Sequence, residues 1–130
     1  MDIQKVLLVD DEPDLRKIGE MSLKMVGRFQ VLLASSGAEA FETAVRELPD
    51  VVLLDVMMPG MDGPTTLGKL RDHPATASIP VIFMTAKAQK HEVERYLLAG
   101  AAGVITKPFD PMTLPAEVKR IVADKERRGA

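Results

Sequence analysis

Five short apolar runs punctuate the chain, at Val6–Val9, Val31–Ala34, Val51–Leu54, Val81–Met84 and Val104–Ile105. Each is continuous rather than alternating and built from leucine or β-branched residues, as suits strands covered on both faces of a parallel sheet. The segments between them repeat apolar residues at helical spacing. Phe41, Ala44, Val45 and Leu48 follow an i, i+3, i+4, i+7 pattern, as do Val93, Tyr96, Leu97 and Gly100. Leu15, Ile18, Met21 and Met25 form a stripe after the first run, and Leu114, Val118, Ile121 and Val122 form one after the last. Boundary signals agree: Ser36-Gly37-Ala38-Glu39 reads as a capping box, Pro49-Asp50 closes that helix, and Pro13 and Pro64 suit first-turn positions. Pro115 would remove a hydrogen bond from a helix begun at Asp110. The last helix is therefore expected to start near Thr113 and to end near residue 127. The alternation is (βα)5, a doubly wound α/β three-layer sandwich with right-handed crossovers, expected as one domain over 1–130.

In an open parallel sheet, ligands meet the carboxyl ends of the strands near the topological switch point. The first run ends in Asp10-Asp11-Glu12, the third in Asp55, the fourth in Thr85-Ala86 and the fifth in Thr106-Lys107-Pro108. The second ends in Ser35-Ser36, which the capping box already explains. Four strands that deliver chemistry and one that does not fit the order 2-1-3-4-5, with strand 2 at an edge. Taken singly, each residue has an ordinary explanation: an Asp after a strand is usually a cap or turn former, and a lone Lys a solvated charge. Together they bring three carboxylates, a hydroxyl and an ammonium to one rim. Three carboxylates that close cannot all stay ionised without a cation, and Lys107 neutralises only one. A hard divalent ion completes the set. Mg²⁺, with few carboxylates, several waters and a phosphate oxygen, suits such a site best, Mn²⁺ being the alternative. The chemistry implied is metal-assisted phosphoryl transfer.

Composition narrows the alternatives. The chain has 130 residues, 17 basic against 19 acidic, and no cysteine, which excludes disulfide scaffolds, thiolate nucleophiles and cysteine-held metals. No basic footprint for direct nucleic-acid binding is present, and no apolar stretch reaches the roughly 20 residues of a membrane span. Without a basic leader before Val6, a cytoplasmic location is expected. His73 and His91 are expected on polar helix faces, and most of the eight methionines as core filler. An acidic first loop is the electrostatic opposite of a flavin phosphate loop, and no P-loop is present.

Val-Asp10-Asp11-Glu, Leu-Leu-Asp55-Val-Met-Met-Pro-Gly-Met-Asp-Gly63, Met-Thr85-Ala86 and Thr-Lys107-Pro108-Phe together resemble the receiver (CheY-like) domain of two-component response regulators. The resemblance covers nearly the whole chain. It implies that Asp55 takes a phosphoryl group from a phosphohistidine of a sensor histidine kinase or histidine phosphotransfer protein. It further implies Mg²⁺ ligands from Asp10, Asp11, Asp55 and the Met57 backbone carbonyl, phosphoryl contacts from Thr85 and Lys107, room for the group beside Ala86, and a cis peptide before Pro108. The domain would be a signalling phosphoacceptor rather than an enzyme, with self-catalysed transfer and slow self-dephosphorylation. Met57 and Lys87 stand where family members tune that hydrolysis, and a thioether cannot orient an attacking water.

Two departures shape the expected output. Val104 stands where the family usually has a rotating aromatic switch, and one stiff torsion cannot sweep the same volume. Ala102-Gly103 and Glu117 replace the charges of a common dimer mode, so a monomer or weak dimer is expected. The family places output on helix 4, strand 5 and helix 5, with Lys90, Glu94, Val104 and Lys119 as candidates for meeting an unidentified downstream protein. No output domain is read in this chain; the alternatives are the receiver part of a longer regulator or hybrid kinase, or a phosphotransfer sink.

Overall fold

The computed structural model describes residues 2–129. Five strands, β1 (Lys5–Val9), β2 (Gln30–Ala34), β3 (Val51–Asp55), β4 (Val81–Thr85) and β5 (Gly103–Thr106), alternate with α1 (Pro13–Met21), α2 (Gly37–Glu47), α3 (Gly63–Asp72), α4 (Lys90–Leu98) and α5 (Leu114–Gly129). All strand pairs are parallel, in the order β2-β1-β3-β4-β5, so the expected doubly wound topology and its edge strand are borne out. Successive strand residues point to opposite faces, and each face has its own core. Leu7, Val9, Leu54 and Phe83 pack with Ala40, Leu67 and Tyr96 on one side. Leu8, Leu53, Met84 and Ile105 pack with Leu23, Leu114, Val118 and Val122 on the other. This two-sided burial is why the strands are continuously apolar rather than alternating.

The strands run further than the apolar runs suggested: β3 includes Asp55 and β4 includes Thr85. Backbone pairing carries these polar residues into the buried edge of the sheet. At α2, Ser36 Oγ accepts from Glu39 N at 3.2 Å, but the Glu39 carboxylate accepts from Ser35 N rather than closing on the cap residue itself. Leu48 does not belong to the buried face; it ends the helix at φ 49° and is exposed. Asp62 caps α3 by accepting from Thr65 N at 2.9 Å. α5 starts at Leu114, directly after Thr113, with Pro115 in its first turn as expected, and it continues to Gly129, two residues beyond the expected end.

The first helix departs most from its sequence pattern. Ile18, Met21 and Met25 are exposed, whereas Gly19, Ser22 and Leu23 face the core. Gly19 decides this, because a Cβ there would lie 2.7 Å from Leu8 Cδ2. The absent side chain lets the helix approach the sheet along that line without displacing Leu8. A π-helical segment, Ser22–Val26, then widens the last turn, with Gly27 N donating to Ser22 O, five residues back. Ser22 Oγ donates to the Pro111 carbonyl, which ties this turn to the loop before α5.

The methionines and His73 also correct the sequence reading. Met58 and Met84 are buried, but Met21, Met25, Met57 and Met112 are exposed. His73 lies just past α3, half-buried, with its ring edge-on to Phe41 at 5.8 Å and Nδ1 accepting from Ala75 N. His91 is exposed on α4 as expected.

Candidate functional site

The carboxyl ends of β1 and β3 adjoin because the two strands pair directly, with Val9 beside Leu54. One residue further on, Asp10 and Asp55 meet. Asp10 is 1% exposed and Asp55 5%, while Asp11 is half-buried. One carboxylate oxygen from each of the three lies within 4.8 Å of the others. Asp10 is held firmly: its Oδ1 accepts from Glu12 N at 2.9 Å and its carbonyl accepts from Arg16 Nη1 at 2.7 Å. Asp55 Oδ1 accepts a longer bond from Met57 N, at 3.3 Å. Asp11 makes no side-chain hydrogen bond or ion pair among the described residues, so its oxygens are free to ligate.

Lys107 enters from the far side of the sheet edge. Its backbone N donates to Thr85 O at 2.8 Å, and its peptide with Pro108 is cis. The ammonium lies 2.9 Å from Asp10 Oδ2 and 3.2 Å from Asp55 Oδ2, bridging the two buried carboxylates. Thr85, at the end of β4, is buried and its Oγ1 accepts from Lys87 N at 3.0 Å. Ala86 is exposed beside it. The structure thus brings Asp10, Asp11, Asp55, Thr85, Ala86 and Lys107 to one rim.

Burial is the main influence on the Asp55 carboxyl. Desolvation pushes its pKa up to about 6; Lys107 pulls it back, and the neighbouring Asp10 charge adds to the rise. Burial acts on Lys107 in the opposite sense, favouring the neutral amine, but its bonds to Asp10 and Asp55 outweigh that and hold its pKa above the ordinary lysine value. The donor set is all oxygen and carries three carboxylates against one ammonium. That excess negative charge and hardness fit Mg²⁺ or Mn²⁺, with Asp11 the freest ligand.

Three placements differ from expectation or were invisible to it. Arg16, which steadies the Asp10 carbonyl, belongs to no motif; only its position one turn into α1 could have hinted at the contact. Met57 exposes 69% of its surface and contributes backbone rather than side chain to the rim. Lys119 does not face the α4–β5–α5 surface, for its ammonium lies 5.5 Å from the Phe29 ring centroid on the other side of α5. Arg120 lines the groove beside Val104 instead, together with Val93, Leu97 and Ile121. Val104 is half-buried there.

Residues 6–119 match the response regulator receiver domain family, and the chain belongs to that family. Response regulator Rre1 of Synechocystis sp. is 37% identical over 121 residues, covering 93% of this chain and 52% of Rre1. Response regulator PleD of Caulobacter vibrioides is 40% identical over 123 residues, covering 93% of this chain and 26% of PleD. The chain therefore spans from about a quarter to about half of such curated relatives. Among solved structures, Vibrio cholerae CheY4 superposes with a TM-score of 0.85 at 30% identity, covering 92% of this chain and 99% of CheY4. A putative response regulator from Chloroflexus aurantiacus gives 0.83 at 34% identity, covering 94% and 99%. Among the described residues, no helix is long and apolar enough to cross a membrane.

Proposed function

We propose that Asp55 is the phosphoacceptor of this receiver domain, taking its phosphoryl group from the phosphohistidine of a sensor histidine kinase or a histidine phosphotransfer protein. The observation that carries this reading is the buried Asp55 carboxylate, adjoined by Asp10 and Asp11 and bridged by the Lys107 ammonium. A buried carboxylate with only one long backbone bond on Oδ1 is a better nucleophile than one saturated with donors. Asp55 attacks phosphorus as the P–N bond to the donor imidazole breaks, and the nitrogen keeps the bonding pair. Lys107 moves from pairing carboxylates to pairing a phosphoryl oxygen. Thr85 offers its hydroxyl to a second oxygen, and Ala86 leaves space beside it. Asp10, Asp11, Asp55 and the Met57 carbonyl would hold Mg²⁺, which when bound offsets charge on the phosphoryl oxygens.

The product is an aspartyl phosphate that hydrolyses slowly, because the exposed Met57 side chain carries no hydrogen-bonding group able to orient an attacking water. On this reading the protein is a signalling phosphoacceptor rather than a turnover enzyme, acts in the cytoplasm as a monomer or weak dimer, and does not itself contact nucleic acid. Its output is a phosphorylation-dependent change at the face of α4, β5 and α5, read by a downstream protein. The alternative, a receiver within a longer regulator or hybrid kinase, has parallels in the longer curated relatives, whereas CheY4 is matched over 99% of its length. Acetyl-phosphate labelling tests the central step. Label is expected on the wild type with Mg²⁺, none with EDTA, and none on Asp55→Asn. Metal-independent labelling, or labelling that survives the substitution, would refute it.

A further inference from the structure

A groove of about 610 Å³ opens between the loop after β3 and the face of α4. Its walls are apolar: Val56, Met57, Met58, Pro59, Pro64 and Tyr96. Tyr96 is a fixed wall, buried and packed edge-on against Phe83 at 5.1 Å. Two charged residues complete the lining, Asp62 and Arg95, and they are not equivalent. Asp62 is committed as the cap of α3, accepting from Thr65 N. Arg95 lies with its guanidinium 5.5 Å from the Tyr96 ring centroid, and its side chain makes no hydrogen bond or ion pair among the described residues. An apolar cleft with one unpaired planar cation has a definite complement.

We propose that this groove binds a small planar aromatic anion, its ring against Met57, Met58 and Tyr96 and its acid group on Arg95. The volume falls in the range of small-ligand sites, roughly 300–1,000 Å³, where a few polar groups fix orientation within apolar walls. Thioethers pack well on aromatic faces, and a guanidinium fork matches a carboxylate or sulfonate. The groove shares the Val56–Pro59 segment with the site, so a ligand that favours one arrangement of that segment also biases the Met57 carbonyl. That coupling rests on the proposed phosphoacceptor role; the binding itself does not.

The test uses 8-anilinonaphthalene-1-sulfonate as the probe, added to the unphosphorylated protein in EDTA, so its result stands whether or not Asp55 accepts a phosphoryl group. One saturable fluorescent site is expected. Because Tyr96 is the single tyrosine of a chain without tryptophan, its emission should fall in step with probe binding. Arg95→Glu should weaken binding about tenfold or more, with Arg95→Lys retaining most of it. Ala99→Trp, an exposed position whose larger side chain fills the groove, should abolish it. Met25→Gln, at an exposed position of the π-helical segment that follows α1, should change nothing. Binding that survives both Ala99→Trp and Arg95→Glu, binding lost in Met25→Gln, or no saturable binding at all would overturn the proposal.

Discussion

At the scale of single residues, Asp55 couples function to instability. Its carboxyl pKa rises from 3.8 to about 6 on folding, chiefly through burial. A folded-state pKa above the unfolded one means that the folded protein binds the proton more tightly. The associated stabilisation is complete below about pH 3.8 and is lost as pH rises through about 6. At neutral pH without divalent metal, the ionised group is thus a net burden on the fold. Asp55→Asn is expected to raise unfolding free energy at pH 7.5 in EDTA by roughly 2 kcal/mol, allowing for the lost bond to Lys107. That gain should shrink toward zero near pH 4. Urea unfolding of both proteins across this range checks it, and a gain independent of pH would show that charge burial is not its source. Excess metal should narrow the difference at pH 7.5, because an ion that binds only the folded wild type stabilises it in turn.

The elements explain how much of this could be read from the chain. Continuous apolar runs identified all five strands; in β1, β3 and β4 a two-sided core leaves no polar face to confuse them. The residues after those runs identified the acidic rim, because strand ends in a parallel sheet converge by topology alone. The stripe on α1 misled for a steric reason: contact with the sheet at Gly19 outranks the apolar stripe, and the π-helical turn after it shifts the phase again. Arg16 was illegible because its bond to Asp10 depends on how α1 lies on the sheet. Gly63 carries the same lesson in reverse. A Cβ on this first residue of α3 would lie 2.8 Å from the Asp55 carbonyl oxygen and 2.9 Å from Val56 Cα, both backbone atoms that cannot turn away. Gly63→Ala is therefore expected to destabilise the protein by about 1–3 kcal/mol and to slow labelling of Asp55 as well. Urea unfolding paired with acetyl-phosphate kinetics measures both, and an Ala variant matching the wild type in both would show that α3 can shift freely.

Across the whole molecule, the two ends of the sheet do different work. The carboxyl end gathers buried carboxylates, of which Asp55 is costly to ionise; the amino end is fastened by cations bound to backbone. Arg71, half-buried at the end of α3, donates from Nη1 to the Ile79 carbonyl at 2.8 Å and from Nη2 to the Gly100 carbonyl at 3.2 Å, joining the loops before β4 and β5. Arg128 adds a bond from α5 to the Ala102 carbonyl at 3.2 Å. Burial lowers the Arg71 pKa, but a guanidinium starts so high that it stays charged at any ordinary pH. Removing it leaves two carbonyls without their charged donor, so Arg71→Ala is expected to cost about 2–4 kcal/mol of unfolding free energy. The length of β4 separates this clamp from Thr85, roughly 13 Å at a strand's rise per residue, far enough for the two ends to behave additively. Labelling of Asp55 at a temperature where the variant remains folded should accordingly stay within about twofold of the wild type. A variant that keeps its stability would show that the clamp is ornamental. One that folds well but labels slowly would show that the amino end of β4 communicates with the acidic rim through the strand.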